Sequence, residues 1–521
     1  MRAFLLVLAL ILTPAAAPAT PAVAAPAVAA PAVAAAAPAE AAAAPPVTAA
    51  AAPVGSDTAM YPRVVRLADG RALLSVTQFP PGGPVGGIYE NSGNGFQRVG
   101  TVADPEARAG LCCATLFVLP RAIGGMPAGT VLWAGSVGQD GGSGRRMAIR
   151  VWASNDAGRN WRFLSTVARS DNAGGLWEPE FFVDAYGRLV VHFADESQPG
   201  RSQVLVQAIS NDGVGWSART PIVTGPQAGH RPGMPAVRRL ADGRYLLAYE
   251  ICGFGGQYDC AVRSRLSGDG VSWGDPARLD PLVQTQDGRY LTATPTLAVT
   301  STARVLLIGQ RVRNADGTDA AVNGRAMFSG DGTGPWTAIP APVAVPGARS
   351  VVCPNYSPSL APSLDGNTVL QVSTDDTGAG CRAYGEEGLL PPMSERTGRF
   401  GAIGGTCVDV AAGGGFNGAA VQLWSCNNAP VQRWTLRTDG SIGAMGRCLD
   451  VPGAATAGGT KIQIWDCNGT PAQQWLRRTN GSLLNPNSGR CLDSPGGAIA
   501  NGTRLQLWDC NGLPPQSFPY A

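Results

Sequence analysis

Charged residues are scarce in this sequence: they make up 15% of its 521 residues, with 40 Lys and Arg against 37 Asp and Glu. A net charge of +3 creates no long-range field toward polyanions, so we expect neither nucleic acid nor a membrane surface as a partner. Histidine occurs only twice, and neither metal-ligand spacing nor a glycine-rich phosphate loop is present. The sequence therefore predicts no metal and no cofactor.

Long apolar runs are also missing. The run at residues 4–12 is too short to span a bilayer, and no later stretch of about 20 apolar residues appears. A short apolar run followed by Ala-Val-Ala at 22–24 is typical of a secretory signal peptide. We predict a signal peptide at 1–24, an Ala/Pro-rich linker at 25–55, and a secreted, extracellular protein. The 12 cysteines, an even number, suit an oxidising compartment. We expect bridges between Cys252 and Cys260 and between Cys353 and Cys381, whereas the pairing of the adjacent Cys112 and Cys113 stays open.

The C-terminal part contains a threefold repeat. Each copy begins with Cys-x-Asp, continues with Gln-x-Trp-x-Cys and ends with Gln-x-aromatic, as at Cys407, Gln422 and Gln432 in the first copy. This pattern resembles the ricin B-type lectin domain, a β-trefoil, over residues 400–521. The resemblance implies that the last aromatic residue of each copy closes a common core, and that disulfides join Cys407 to Cys426, Cys448 to Cys467 and Cys491 to Cys510.

The same resemblance implies one sugar site in each lobe, where a carboxylate accepts sugar hydroxyls and an indole stacks on the ring. The implied sugar-binding residues are Asp409, Gln422 and Trp424, then Asp450, Gln463 and Trp465, then Asp493, Gln506 and Trp508. The family often has Asn before the last Gln, where this sequence has Val431, Ala472 and Pro515. Galactose-type binding is therefore expected to be weak or confined to some lobes, and the alternative is a trefoil whose tryptophans are only structural.

A different repeat occupies residues 56–395. Residues 154–161 read Ser-x-Asp-x-Gly-x-x-Trp, the Asp-box pattern, and shorter or looser copies begin at Ser210, Ser267 and Ser329. Between them lie pairs of strand-length runs joined by turns such as the Ala-Asp-Gly-Arg at 68–71 and 241–244. Six such units predict a six-bladed β-propeller, so the fold class is all-β, a propeller followed by a trefoil.

Comparing the six units locates two unusual carboxylates. The residues that enter the first strands are Tyr61, Cys113, Glu178, Met234, Thr294 and Ser357, and those that end the second strands are Thr77, Ser136, Ala194, Glu250, Gln310 and Ser373. Glu178 and Glu250 are the single acids in these sets, and the topology places both at one mouth of the central channel. Paired carboxylates are what glycoside hydrolysis requires. The alternative is that each pairs with a local arginine such as Arg231.

With Leu-Trp-Glu-Pro at 176–179 and Leu-Ala-Tyr-Glu at 247–250, the propeller resembles the exo-1,5-α-L-arabinanases of glycoside hydrolase family 93. The resemblance implies a retaining enzyme that releases arabinobiose from linear arabinan, with Glu178 as nucleophile and Glu250 as acid/base. It also implies a pocket lined by Arg63, Trp177, His230, Arg231 and Tyr356. Glu180 is a rival nucleophile, on the same strand face but further down the channel.

Two other functions remain open. A sialidase shares the Asp-box propeller, and Arg63, Arg231 and Arg311 could form its arginine triad, although the Arg-Ile-Pro signature is absent at residues 61–63. A non-catalytic protein with two glycan-binding modules is the third possibility. We expect a monomer whose partner is plant cell-wall polysaccharide, either arabinan or another glycan that contains arabinose or galactose.

Overall fold

The computed structural model describes residues 51–91, 95–376, 378 and 380–521. The predicted signal peptide and most of the predicted linker lie outside the described residues. Within them the chain is almost entirely β-structure, and its helices are 3₁₀ turns of three to five residues. None of these described helices is long and apolar enough to cross a membrane.

Six antiparallel sheets form the blades of a propeller, each built from strands in nearly sequential order. The chain enters through β1 (Ala52–Pro53). Blade 1 contains β2 (Ala59–Arg66), β3 (Ala72–Gln78), β4 (Val85–Asn91) and β5 (Phe96–Val102). Blade 2 contains β6 (Leu111–Val118), β7 (Val131–Val137), β8 (Ala148–Ser154) and β9 (Arg162–Arg169). Blade 3 contains β10 (Leu176–Val183), β11 (Leu189–Asp195), β12 (Val204–Ser210) and β13 (Thr220–Val223).

The other three blades are less regular. Blade 4 contains β14 (Arg231–Arg239), β15 (Tyr245–Cys252), β16 (Ala261–Ser267) and β17 (Tyr290–Thr292), with β20 (Arg311–Arg313) paired to β17. Blade 5 contains β18 (Thr296–Val299), β19 (Val305–Ile308), β21 (Ala326–Gly330) and β22 (Thr337–Pro340). Blade 6 contains β23 (Ser359–Pro362), β24 (Thr368–Asp376) and β25 (Cys381–Leu389). Apolar side chains of neighbouring blades pack together, as Leu132 does with Phe181 and Phe193.

The end of the predicted linker, residues 25–55, contains a short strand that pairs with the propeller. Strand β1 pairs antiparallel with β25, Ala52 opposite Gly385 and Pro53 opposite Tyr384. Blade 6 has three strands of its own, so β1 covers an edge that would otherwise expose unpaired backbone groups. A two-residue strand inside an Ala/Pro-rich tract carries no periodicity, so the sequence pattern could not show it.

The predicted turns lie where the repeat places them. The four Ser-x-Asp segments connect the third and fourth strands of blades 2 to 5. In the first of them the Asp156 carboxylate accepts a hydrogen bond from the Asn160 amide at 2.9 Å, and the Trp161 indole N–H donates to the Gly158 carbonyl at 2.8 Å. Gly158 has a φ of +80°, which glycine adopts without strain. These turns orient the tryptophans that pack between blades.

The C-terminal part folds as a trefoil around one apolar core. Its strands are β26 (Arg396–Gly398), β27 (Thr406–Val410), β28 (Val421–Ser425), β29 (Trp434–Leu436), β30 (Ile442–Ala444), β31 (Arg447–Asp450), β32 (Gln463–Trp465), β33 (Leu476–Arg477), β34 (Leu483–Asn485), β35 (Arg490–Asp493) and β36 (Gln506–Trp508). Trp434, Trp475 and Phe518 are buried in the core, as predicted for the aromatic that ends each repeat.

All 12 cysteines form disulfides. Those implied for the three lobes, Cys407–Cys426, Cys448–Cys467 and Cys491–Cys510, are confirmed. In the propeller Cys252 pairs with Cys260 and Cys353 with Cys381, as predicted. The adjacent residues Cys112 and Cys113, whose pairing the sequence left open, bond to each other.

The trefoil is joined to blade 6 by strand pairing. Leu389 of β25 lies opposite Arg477 of β33, so one sheet runs from the propeller into the third lobe. Beside this junction Arg478 forms an ion pair with Glu386 at 3.1 Å, both side chains being largely buried. Leu476 packs closely over Gly388. The outer edge of β25 is thus covered by β1 at one end and by the trefoil at the other.

Candidate active site

The first strands of all six blades line a central channel, to which each contributes at least one side chain: Arg63, Thr115, Glu180, Arg238, Thr296 and Ser359. At the start of each strand one residue has a left-handed backbone, with φ between +46° and +63°. These six are Tyr61, Cys113, Glu178, Met234, Thr294 and Ser357, the set obtained by comparing the sequence repeats. In blades 1 to 4 the strand register shifts at this residue, which identifies a β-bulge, a feature that re-aims a side chain.

The bulges also explain how the two glutamates are held. An Oε2 atom of Glu178 accepts a hydrogen bond from the backbone N–H of Met234, the bulge residue of the next blade, at 2.6 Å. Glu250, on β15, accepts one from the N–H of Thr294, the equivalent left-handed residue of blade 5, also at 2.6 Å. Each carboxylate is thus oriented by a backbone N–H at the start of the following blade.

Gly233 lies between the two carboxylates. A Cβ atom built on this glycine would be 3.2 Å from Glu178 Oε2 and 3.8 Å from Glu250 Oε1, and 2.9 Å from Gln203 Nε2. Both carboxylates therefore approach one point within 3.8 Å. Two carboxyl groups this close to one point can act on the same glycosidic bond, as glycoside hydrolysis requires. A larger residue at 233 would occupy the space that they share.

Burial shifts the protonation of both groups toward neutral pH. It raises the pKa of Glu178 to about 7, an effect that the Met234 N–H and the Arg63 charge partly oppose. Burial and the charge of Glu178 raise the pKa of Glu250 to about 8, against the opposing Thr294 N–H. The pair can thus hold one carboxylate and one carboxylic acid side by side, which is the state that acid-assisted displacement needs.

These pKa shifts predict a pH-dependent stability. The folded-state pKa values of about 7 and 8 lie above the ordinary value of 4.5. Between pH 4.5 and 8 the unfolded chain binds fewer protons here than the folded protein, so the free energy of unfolding falls as pH rises. Each pKa unit is worth about 1.4 kcal/mol. Urea unfolding of the protein and of a Glu178→Gln/Glu250→Gln variant should show the variant gaining relative stability from pH 5 to 8.5; a constant difference would contradict the shifts.

Glu180, the rival nucleophile, is engaged elsewhere. Its Oε1 atom accepts a hydrogen bond from the Arg238 guanidinium, with which it forms an ion pair, and its Oε2 accepts one from the Thr115 hydroxyl at 3.4 Å. Both partners line the channel below the glutamate pair. The structure therefore places Glu180 in an ion pair inside the channel and leaves Glu178 beside Glu250.

Arg231 pairs with a residue that the sequence analysis missed. Its guanidinium forms an ion pair with Glu196 and also donates to Gln203 Oε1 at 2.7 Å. Among the described residues no ion pair within 4.0 Å involves Glu178 or Glu250, so the alternative that Arg231 neutralises one of them is not what the structure shows. Glu196 directly follows β11. The comparison of the repeats used Ala194 in this blade, so it did not include Glu196.

Glu196 influences the site through its charge. Although burial alone would raise its pKa, hydrogen bonds from Arg231, from the Gly175 amide at 2.8 Å and from the Trp177 indole keep that pKa below its ordinary value. The resulting negative charge contributes to the raised pKa of Glu178. Glu196 is thus a third carboxylate near the pair, held ionised by its own partners.

Of the remaining predicted pocket residues, Arg63 and Tyr356 lie near Tyr61, whereas His230 lies near Phe254. The Arg63 guanidinium lies over the Tyr61 ring at 4.0 Å, and the partly buried Tyr356 ring is 6.3 Å from the same ring. Burial and the charges of Glu178 and Glu250 hold the pKa of Tyr356 well above its ordinary value. His230 instead packs on Phe254, with ring centroids 5.1 Å apart, and its Nδ1 accepts from the Gln227 amide at 3.4 Å; neither contact is with the glutamate pair.

In the trefoil the three predicted sugar sites share one arrangement. Each repeat aspartate is buried, and its two oxygens accept hydrogen bonds from the side-chain amides of two glutamines. The sets are Asp409 with Gln422 and Gln432, Asp450 with Gln463 and Gln473, and Asp493 with Gln506 and Gln516. The second glutamine of each set was not among the predicted site residues. The indoles beside them are exposed, by 38% for Trp424, 39% for Trp465 and 46% for Trp508.

This arrangement presents a flat apolar surface next to an oriented carboxylate in every lobe. Each carboxylate oxygen that accepts one amide hydrogen bond keeps a second lone pair for a ligand hydroxyl. Because each indole is exposed, its flat face is accessible for stacking on a sugar ring. The described geometry is therefore compatible with sugar binding in all three lobes.

Comparison with known proteins agrees with both parts of the fold. Residues 397–518 match the family model of the ricin-type β-trefoil lectin domain. A curated relative, the ribosome-inactivating protein PMRIPt of Polygonatum multiflorum, is 38% identical over 71 residues, which are 14% of this chain and 11% of the relative. The chain thus spans about a tenth of that relative's length.

Solved structures resemble the propeller. The family 93 α-L-arabinofuranosidase of Fusarium graminearum, solved with arabinobiose, is 22% identical with a TM-score of 0.55 and covers 65% of this chain and 97% of its own. The α-L-arabinanase of Penicillium chrysogenum, solved with the same ligand, is 23% identical with a TM-score of 0.52, covering 66% and 98%. Both predicted folds are confirmed. At these identities the likeness establishes the fold, and function has to be argued from the site.

Proposed function

We propose that this protein is a secreted, exo-acting, retaining glycoside hydrolase that releases arabinobiose from linear α-1,5-arabinan and binds carbohydrate through its trefoil. The observation that carries the proposal is the pair of carboxyl groups of Glu178 and Glu250, which approach the same point beside Gly233 and whose pKa values are raised toward neutrality. The propeller's resemblance to structures solved with arabinobiose supports the choice of substrate.

The mechanism follows from the different surroundings of the two carboxyl groups. The positive charges of Arg63 and Arg231 lower the pKa of Glu178, whereas the charge of Glu178 raises that of Glu250. Glu178 is therefore the group that ionises first and attacks the anomeric carbon. Glu250 keeps its proton to higher pH and gives it to the departing glycosidic oxygen. In the second step Glu250, now ionised, takes a proton from water, which displaces Glu178 from the sugar. The singly protonated pair is most populated between about pH 7 and 8.

Exo action is part of the proposal because the channel is obstructed below the pair. The Glu180–Arg238 ion pair spans the blade 3 and blade 4 sides of the channel. A polysaccharide therefore enters with one end toward the propeller axis instead of lying across an open cleft. We further propose an extracellular monomer that acts on plant cell-wall polysaccharide, for which six disulfides are a suitable framework.

The experiment that tests this function is a product profile on three substrates. Linear arabinan, a sialoside and a galactan are incubated with the full chain, and products are separated by anion-exchange chromatography. Arabinobiose from the first time point, with no longer oligomers, is expected from arabinan alone. Blocking the non-reducing ends of the arabinan should stop the reaction. Release of sialic acid, or of a ladder of oligomers, would contradict the proposal.

The sialidase alternative requires three arginines free to bind one carboxylate. Arg231 is paired with Glu196, Arg311 is paired with Asp319, and Arg63 lies over the Tyr61 ring. Two of the three guanidiniums are thus already bound to carboxylates of the protein, which disfavours a sialic acid site.

The lectin sites lead to a prediction about retention on insoluble substrate. Because three indoles are exposed in separate lobes, their contributions to binding a polysaccharide should multiply through avidity. Trp424→Ala, Trp465→Ala and Trp508→Ala should each weaken retention on insoluble arabinan or galactan severalfold, and the triple variant should lose most of it, as measured by pull-down.

Turnover of a short soluble arabino-oligosaccharide should be unchanged in these variants, since the indoles lie in the trefoil. Tyr186→Ala, at an aromatic residue that is 66% exposed on the propeller, is the matched control and should bind normally. Full retention by the triple variant would show that the tryptophans are only structural.

A further inference from the structure

The disulfide between Cys112 and Cys113 has no role in the chemistry described so far. It lies at the start of β6, and Cys113 is the bulge residue of blade 2. This is the position that Glu178 occupies in blade 3, the next blade around the ring. The disulfide therefore stands beside the proposed nucleophile at the same mouth of the channel.

Its surroundings form an apolar wall. Cys113 is buried with Tyr61 and Met234, and the partly buried side chains of Cys112, Trp177 and Tyr356 pack against this cluster. Two of these residues are tied directly to the nucleophile: Trp177 precedes it in the chain, and the Met234 amide binds its carboxylate. The disulfide thus continues the wall that borders Glu178.

Stabilisation of the fold does not explain the bond. In the chain-entropy model a disulfide stabilises by closing a loop in the unfolded chain, and the effect grows with loop length. The other five disulfides join residues 8 to 28 positions apart, whereas this one joins neighbours. It closes the smallest possible loop and so constrains the unfolded chain least.

We propose that the Cys112–Cys113 disulfide is a substrate platform, a specificity-determining contact that packs against the apolar face of the sugar unit held beside Glu178. This inference rests on the proposed function. An oxidised pair presents two polarisable sulfur atoms with no S–H donor and no thiolate. Two free thiols at this place would put a competing nucleophile next to the anomeric carbon, so closure of the bond also keeps Glu178 the single nucleophile there.

The test separates substrate binding from stability with two double variants. Cys112→Ser/Cys113→Ser keeps the size of the side chains and makes them polar. Cys112→Ala/Cys113→Gly removes the sulfur atoms and places glycine at a backbone with a φ of +60°, which glycine adopts without strain. Both should raise KM for short arabino-oligosaccharides about tenfold, the size expected for losing one apolar contact in a pocket, with kcat changed by less than about threefold and Tm little altered.

The control is a disulfide far from the site. Cys491→Ser/Cys510→Ser opens a loop of the third lobe, with a sequence separation of 19, and should lower Tm while leaving KM for short soluble substrates unchanged. An Ala/Gly variant that folds with the parent Tm and the parent KM would overturn the platform. Failure of the unmodified protein to release arabinobiose would instead reject the proposed function, so the two failures are distinguishable.

Discussion

Glu178→Ala should be inactive on arabinan and on an aryl arabinoside alike, because no other described carboxylate beside Glu250 is free to form the glycosyl-enzyme bond. Glu250→Ala should lose about 10²–10⁴-fold in kcat on arabinan, the contribution typical of general acid catalysis. On an aryl glycoside with a good leaving group it should keep far more of its first-step rate, since that group departs without protonation. Steady-state kinetics on both substrates, with and without added azide, give the measurement.

Azide should partly rescue Glu250→Ala, because the cavity left by the side chain admits a small nucleophile that needs no general base. Glu180→Gln is the matched control: it keeps a side-chain acceptor for Arg238 and should retain turnover on both substrates. If Glu180→Gln is inactive and folded while Glu178→Ala turns over, the nucleophile is assigned to the wrong residue. An inverted first product in the NMR spectrum would exclude the retaining mechanism for both.

Arg478→Met should reduce the free energy of unfolding by about 3–5 kcal/mol, the cost of removing one partner from a buried ion pair. Its partner Glu386 is largely buried at the junction of β25 and the trefoil, and burial already raises the pKa of this carboxyl to about 7, with the Arg478 charge opposing. Without that charge the pKa of Glu386 rises further. The loss should therefore be larger at pH 8, where the carboxylate is ionised, than at pH 6; urea unfolding at both values measures it.

An exposed ion pair is the control for this variant. Arg244 and Asp242 form one on a propeller hairpin, and Arg244→Met should change stability little at either pH. Glu386→Leu/Arg478→Leu, which replaces the buried pair by apolar side chains, should recover much of the loss. If Arg478→Met unfolds like the parent protein at both pH values, the trefoil contributes nothing to propeller stability through this junction.

Repetition in the sequence made most of the fold predictable. Equivalent residues in a propeller or a trefoil occupy equivalent places. Comparing the six residues at one position of the six blades therefore shows which blade differs from the rest. Glu178 and Glu250 were found in this way, and the left-handed backbone shared by Tyr61, Cys113 and the other four entering residues agrees with that alignment. The resemblance of the threefold repeat to the ricin B-type lectin domain implied the pairing of the lobe cysteines and the core positions of Trp434 and Trp475.

Features that depend on one blade meeting another were not predictable from the repeats. Glu196 was missed because it lies just beyond a strand end, and Arg231 reaches it across blades. The amides of Met234 and Thr294, two residues with a left-handed backbone, donate hydrogen bonds to Glu178 and Glu250 from the next blade, which the repeat pattern does not show. His230 packs on Phe254, a contact between two loops that no repeat pattern shows.

The sequence by itself determined the all-β class, the six-plus-three repeat architecture and the two candidate glutamates, because periodic spacing encodes local turns and strands that each repeat forms in the same way. Only the tertiary structure decided that Gly233 lets both carboxylates approach one point, that β1 and β33 share the edge of β25, and that Cys112 bonds to Cys113 beside Glu178. These contacts join residues distant in the chain or of ambiguous pairing. Their geometry is set by closure of the ring and by burial, neither of which leaves a period in the sequence.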